Sequence, residues 1–292
     1  MLKISHKRNQ KFHYSPLRYP GGKSFLLPFF DRIIHENHLH DVVYIEPFAG
    51  GAGAALALLF LEKVDSIVIN DLDKTIYSFW RSAVFDADSF IEKIRSTRVT
   101  VAEWRRQKAT YLDPHAKEFD LGFATFFLNR TNVSGILDGG PIGGMDQSGE
   151  WKIDARFNKD GLSEKIRQLG LYRNRISVTN EDGLKLIGRY FRLDNAFIYL
   201  DPPYYEKGTS LYLNHYGQDD HERLASQLNE NADAFWLLTY DNKHQIKSLY
   251  SRRRISTFSL NYNAYEARVG SEVLILSDAV RAGEASRYVS AG

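Results

Sequence analysis

The sequence has no cysteine. Disulfides and thiolate metal sites are therefore excluded, and the chain fits a reducing, cytoplasmic setting. Long apolar runs are also missing. The longest, Ala54 to Leu61, is too short to cross a bilayer, so no membrane partner is expected. The first thirteen residues carry Lys3, Lys7, Arg8 and Lys11, no acid and no apolar core, so no secretory leader is expected there. They read as a solvated arm or, less simply, as a contact for a phosphate backbone. Neither sign of charge dominates: the formal net charge is +2, which permits nucleic-acid binding without requiring it. There is no internal repeat and no low-complexity segment. What remains is 292 residues of ordinary globular composition, enough for one large domain with a smaller one inserted.

Proline is sparse, at eight residues, and two of the eight are adjacent. They follow the apolar run Phe197-Ile198-Tyr199-Leu200 and Asp201, and precede Tyr204 and Tyr205. An unbroken apolar run of this length reads as a strand covered on both faces. Pro202 cannot donate to a ladder and Pro203 cannot continue a helix, so the strand stops at Asp201. The carboxyl end of a buried strand is where open α/β sheets bind ligands. An ionised Asp201 offers only acceptors, the Pro202 carbonyl offers another, and Tyr204 adds a flat ring. Two acceptors beside a stacking face suit a planar ring with an exocyclic amino group.

Earlier in the chain, Tyr19-Pro20-Gly21-Gly22-Lys23-Ser24 precedes a helical pattern through Ile34. A phosphate loop needs a glycine five positions before Gly22, where Leu17 stands, so that reading fails. Glycines that allow close approach, a lysine at a helix start and an aromatic would hold a ligand with a carboxylate and a flat ring. The strand Val42 to Ile45 then runs into Glu46-Pro47-Phe48-Ala49-Gly50-Gly51-Ala52-Gly53, a tight strand-to-helix turn. A second strand, Ser66 to Asn70, ends at Asp71. Strand, glycine turn, helix and acid form the nucleoside-binding half of a doubly wound sheet, the acid taking ribose hydroxyls. Asp71 could equally cap a helix over Leu72 to Trp80.

Between about Thr75 and Leu171 the character changes to helices rich in arginine. Then come Asn129-Arg130-Thr131-Asn132-Val133-Ser134-Gly135 and a loop with paired glycines, followed by an expected strand at Glu150 to Ile153. Amides, an arginine and mobile loops fit base-edge readout in a groove, or a surface loop joining a helix to a hairpin. The sheet resumes at Ile176 to Thr179, with Asp182 and a helix through Phe191, and with later strands at Phe235 to Thr239 and Glu272 to Leu276. The run Arg252 to Arg254 reads as a solvated strand start or a phosphate contact, and residues 279–292 read as a frayed tail.

The ordered set of Tyr19-Pro-Gly-Gly-Lys23, the Glu46 to Gly53 turn, Asn70-Asp71, Leu128-Asn-Arg-Thr131 and Asp201-Pro-Pro-Tyr204 resembles the Dam-like (D12 class) DNA adenine-N6 methyltransferases, over roughly residues 15–278. The resemblance implies a class I, Rossmann-like methyltransferase sheet of α/β class. It implies S-adenosylmethionine as methyl donor and double-stranded DNA as substrate, with no metal, and admits a cognate restriction endonuclease as partner. It places the catalytic domain at 1–74 and 172–292 and an inserted, mostly helical target-recognition domain at 75–171. Asp201, Pro202, Pro203 and Tyr204 match the catalytic motif. Tyr19, Gly22, Lys23, Glu46, Phe48, Gly50, Gly51, Asp71, Asp182 and Asp201 fall at cofactor positions; the aromatic that often follows the acid at 182 is Gly183 here. Asn129, Arg130, Asn132, Val133 and Ser134 fall in the DNA-reading segment. GATC-specific members carry an aromatic–Asn pair and a further arginine where this chain has Val133, Ser134 and Asp138. N4-cytosine methylation, a non-catalytic DNA-binding relative and, from another class, a nicotinamide-dependent oxidoreductase are the alternative readings.

Overall fold

The computed structural model describes residues 14–18, 23–205, 216–262 and 268–283. Within them the chain forms two compact units, one of residues 14, 23–68 and 182–283 and one of 15–18 and 69–181. Tyr19, Gly22, the basic arm and residues 284–292 lie outside the described residues.

Seven strands form one sheet in the order β3-β2-β1-β4-β5-β7-β6. They are β1 (Val43–Glu46), β2 (Ser66–Asn70), β3 (Ile176–Thr179), β4 (Ala196–Leu200), β5 (Trp236–Asp241), β6 (Arg254–Tyr262) and β7 (Arg268–Leu276). β4 pairs in parallel with β1 and β5, whereas β7 runs antiparallel between β5 and β6. The order turns back between β1 and β4, which makes their carboxyl ends the switch point of a doubly wound sheet. A sheet with β1, β4 and β5 parallel and β7 antiparallel beside β5 agrees with the class I methyltransferase sheet that the resemblance implies.

The apolar run of β4 is buried at every position, as a strand covered on both faces must be. Its side chains alternate. Phe197 and Tyr199 meet Phe30 of helix α1 (Leu27–Glu36), with ring centroids 5.6 and 4.8 Å apart. Ile198 and Leu200 join the cluster on the other face. That face is covered by Leu186 and Ile187 of α8 (Gly183–Tyr190) and by Leu224, Ala225 and Leu228 of α9 (Gln218–Glu230). Helix α2 (Gly53–Phe60) is buried almost all round. A short α10 (His244–Leu249) follows β5.

The second unit is built from α3 (Lys74–Phe85), α4 (Ala87–Ser96), α5 (Val101–Leu112), α6 (Glu118–Thr131) and α7 (Lys159–Leu171). Helix α6 is its axis: Phe123, Phe126 and Phe127 are fully buried, and Phe126 stacks on Phe79 of α3 at 5.9 Å.

Four local expectations are corrected. Residues 150–153 form bends and turns, not a strand. The Ile153 N–H is taken by Gln147 Oε1, so it seeks no partner strand. No hairpin follows α6 among the described residues; a 3-10 turn, Val133–Gly135, and an isolated bridge between Asn132 and Pro141 stand in its place. Helix α3 begins at Lys74, and its cap is Asp73, whose carboxylate accepts from the Thr75 N–H at 2.8 Å, not Asp71. The start of the expected tail is packed: Val280 is buried.

Candidate active site

At the carboxyl end of β4, Asp201 is held from two sides. Thr239 Oγ1 on β5 donates to Oδ1 at 2.9 Å. Because that hydroxyl hydrogen is committed, the Tyr199 hydroxyl, 2.8 Å from Thr239 Oγ1, is the donor in the next link. Lys23 Nζ donates to Oδ1 at 3.0 Å and to Oδ2 at 2.9 Å. An ionised carboxylate has about four lone-pair positions, and three donors are in place, so Oδ2 keeps room for one more. The Asp201 side chain is 27% exposed while that of Lys23 is 4% exposed, so the acid is the more open of the two.

Lys23 also faces Glu272 of β7, Oε2 lying 3.5 Å from Nζ. Burial works against the lysine's charge, yet the two carboxylates, Asp201 ahead of Glu272, lift its pKa above the ordinary lysine value. The Tyr204 hydroxyl accepts from Lys23 at 3.3 Å and donates to Glu272 Oε1. The next residue is anchored as well: the Tyr205 N–H donates to Asp241 Oδ1 at 3.1 Å. The Asp-Pro-Pro-Tyr loop is thus tied to β5 and β7 along its length.

The turn after β1 is built around Glu46. Gly50 and Ala52 are left-handed, at φ 45° and 46°, a conformation that suits Gly50 and that Ala52 adopts at a cost. Ala52 has no side chain to cap α2; Glu46 does it from the strand, accepting from the Ala55 N–H at 3.0 Å and from the Tyr44 hydroxyl at 3.0 Å. Burial pushes the Glu46 carboxyl up to about 8, against the pull of those two donors. Phe48 explains the glycine at 183. A Cβ there would lie 3.0 Å from the Phe48 ring, so that ring fills the space a side chain at 183 would take. Phe48 meets Tyr216 edge to face at 5.6 Å. Asp182 caps α8 through the Lys185 N–H at 3.0 Å.

In the second unit, Asp71 follows β2 and accepts from the Asp73 N–H at 2.9 Å. Asn129 and Asn132 are buried, and their amides serve the chain itself. Asn129 accepts from the Arg18 N–H and donates to the carbonyls of Arg18 and Gly135. Asn132 accepts from the Trp104 indole and donates to the carbonyls of Ile136 and Leu137. Together they brace the turn in which Ser134 stands left-handed at φ 56°. Val133 is exposed. Arg130 donates to the Arg156 carbonyl. Burial, then the neighbouring Arg18 and Arg156, lower its pKa to about 10.

Sequence reasoning missed Thr239, Glu272 and Tyr44. Glu272 is the first residue of the segment that reads as the last strand, and nothing local marks its carboxylate as buried. Among the described residues no group of acids and histidines is arranged to hold a metal, and no helix is long and apolar enough to cross a membrane.

No curated protein matches the chain. Among solved structures it is similar to the rRNA methyltransferase aviRa from Streptomyces viridochromogenes, at 13% identity and a TM-score of 0.37 over 92% of this chain and 88% of that one. The model of the D12 class N6 adenine-specific DNA methyltransferases matches residues 19–264, most of the chain and every element of the Asp201 site up to β6. The protein belongs to the D12 class N6 adenine-specific DNA methyltransferase family.

Proposed function

We propose that the protein is a site-specific methyltransferase that uses S-adenosylmethionine to methylate N6 of an adenine flipped out of duplex DNA. The observation that carries this is the open lone pair on Asp201 Oδ2 beside the Pro202 carbonyl, on a loop anchored by Lys23, Thr239 and Glu272. The adenine amino lone pair is delocalised into the ring and is a poor nucleophile. Hydrogen bonds from that amino group to Asp201 and the Pro202 carbonyl favour a tetrahedral nitrogen with its lone pair free. Such catalysis is positioning and electrostatics, without a covalent enzyme intermediate. The target atom lies inside the duplex, so the base must leave the stack, with Tyr204 as the stacking face; Pro203 stiffens the loop between them.

S-adenosylmethionine, when bound, supplies a methyl group on an electrophilic sulfonium. The chain fits it: the left-handed turn at Gly50 to Ala52 admits a ligand close to the backbone, and carboxylates stand at strand and helix ends. We assign Glu46, Phe48, Gly50 and Gly51 to the methionine side and Asp71 to the ribose hydroxyls. Asp182 is assigned to the adenine, and Lys23, with Tyr19 and Gly22, to the carboxylate. DNA recognition is assigned to the segment inserted between 75 and 171. There Arg130, Val133 and Ser134 face the nucleic acid, and Asn129 and Asn132 shape the turn that presents them. The oxidoreductase alternative gives no role to Asp201-Pro-Pro-Tyr204 and is at odds with the family.

Incubation with S-adenosylmethionine and duplex DNA, followed by nucleoside mass spectrometry, tests the reading. N6-methyladenine is expected. N4-methylcytosine in its place would overturn the substrate, and no modified base with intact DNA binding would leave a non-catalytic relative.

A further inference from the structure

Resting on that reading, we propose that Glu272 is a positioning residue for methyl transfer. It draws Lys23 and the Tyr204 hydroxyl toward β7, so that Asp201 keeps both an open acceptor and its negative field. Glu272 is 1% exposed, deeper than Asp201 itself. A carboxylate so deep is retained only where it is paired and hydrogen-bonded. Two of its partners belong to the site itself. They are Lys23, the same lysine that bridges both oxygens of Asp201, and Tyr204, the last residue of the Asp-Pro-Pro-Tyr loop.

Charge is the reason the site needs it. An ammonium 2.9 Å from Asp201 in a buried setting would cancel most of that acid's field. With Glu272 on its other side, the Lys23 cation is shared between two carboxylates, and Asp201 keeps more of its negative field than in an ion pair of its own. The amino nitrogen gains positive charge as it takes the methyl group. A negative field retained at Asp201 stabilises that charge in the transition state more than in the ground state. Register places the residue there: Glu272 lies opposite Asp241 of β5, whose carboxylate holds the Tyr205 N–H. The antiparallel β7 therefore braces the loop from the side opposite β1.

The test is single-turnover methylation of duplex DNA by wild type, Glu272→Gln and Glu272→Asp. Equilibrium binding of S-adenosylhomocysteine and of DNA is measured on each. Glu272→Gln keeps the shape and an acceptor for Tyr204 but removes the charge. The transfer rate is expected to fall about tenfold to a hundredfold, with both affinities within about threefold. Glu272→Asp keeps the charge and is expected to lose less. A rate for Glu272→Gln within about threefold of wild type overturns the inference. Equal losses in both variants, or losses that track the affinities, also overturn it, because shape alone then matters. If Glu272→Gln does not fold, the charge-free Glu272→Ala decides: a loss of at least tenfold that Glu272→Asp does not share, with unchanged affinities, supports the role, and a rate within about threefold of wild type refutes it. A wild type that makes no methyladenine refutes the proposed function instead, so the two failures are distinct.

Discussion

At the scale of single residues, the ion pair between Lys23 and Asp201 separates binding from chemistry. Asp201→Ala leaves Lys23 facing Glu272 and removes almost no buried apolar area, so the fold is expected to survive. Methyl transfer is expected to fall by roughly a hundredfold or more, the loss typical of one removed electrostatic group. Single-turnover transfer within a few-fold of wild type would falsify the role given to Asp201. Asp71→Ala is expected to cost roughly 1.5–3 kcal/mol of cofactor binding, about ten- to a hundredfold, and little else. Lys23→Ala is expected to cost the same in binding. It also lowers the melting temperature, because it leaves two carboxylates facing each other without their cation. Calorimetry on both variants checks this, and unchanged cofactor affinity in both would show the site to be misplaced.

Glu46 carries a pH signature of its own. Its carboxyl is raised by burial to about 8 in the folded chain, against an ordinary value of 4.5. The folded state therefore holds a proton that the unfolded state has released, so stability falls as pH rises from about 4.5 to about 8. Glu46→Gln keeps an acceptor for the Ala55 N–H and removes the titration. Denaturation midpoints across that window are expected to flatten in the variant. An equally steep dependence in both proteins would place the proton elsewhere.

At the scale of elements, α3 and α6 cross at a single glycine. A Cβ on Gly122 would sit 2.4 Å from the Ser78 carbonyl oxygen, a backbone atom that cannot swing aside. Alanine would be favoured by helix propensity alone, but the overlap separates two helices whose phenylalanines stack. Gly122→Ala is expected to destabilise the protein by about 1–3 kcal/mol. A thermal midpoint at or above wild type would mean that propensity outweighs the contact. Much of this level was legible in the sequence. Strands β1, β2, β4 and β5 stand as short apolar runs, and helices α2, α3, α9 and α10 follow them in turn. The segment after α6 was not legible, because its order comes from side chains capping backbone groups. Asn129, Asn132 and Gln147 satisfy donors and acceptors that a hairpin would otherwise pair.

At the scale of the whole molecule, the open matter is which DNA sequence is modified. Val133 cannot stack between bases as a ring does, and Asp138 cannot fork onto guanine O6 and N7. Asp138 instead lies 3.2 Å from Lys108, on the surface. The expected outcome is adenine-N6 methylation at a duplex site other than GATC, or at GATC with relaxed stringency. Long-read mapping of modified bases in a methylation-free host that expresses the protein checks this. Stringent GATC modification would refute it.

The sequence alone determined what short stretches determine. Asp201-Pro-Pro-Tyr204 ends a buried strand because prolines cannot pair, and Gly50 allows a left-handed turn because it has no Cβ. These are properties of neighbours along the chain, and an ordered set of them is enough to mark the family. Only the tertiary structure decided what surrounds Asp201. Lys23, Thr239 and Glu272 stand 178, 38 and 71 positions away from it along the chain. They meet because β4 pairs with β5 and an antiparallel β7 pairs with β5 in turn. Whether a polar side chain is buried, and against which charge, depends on strand order and register. Those follow from the free energy of the whole packed sheet, which no local stretch encodes.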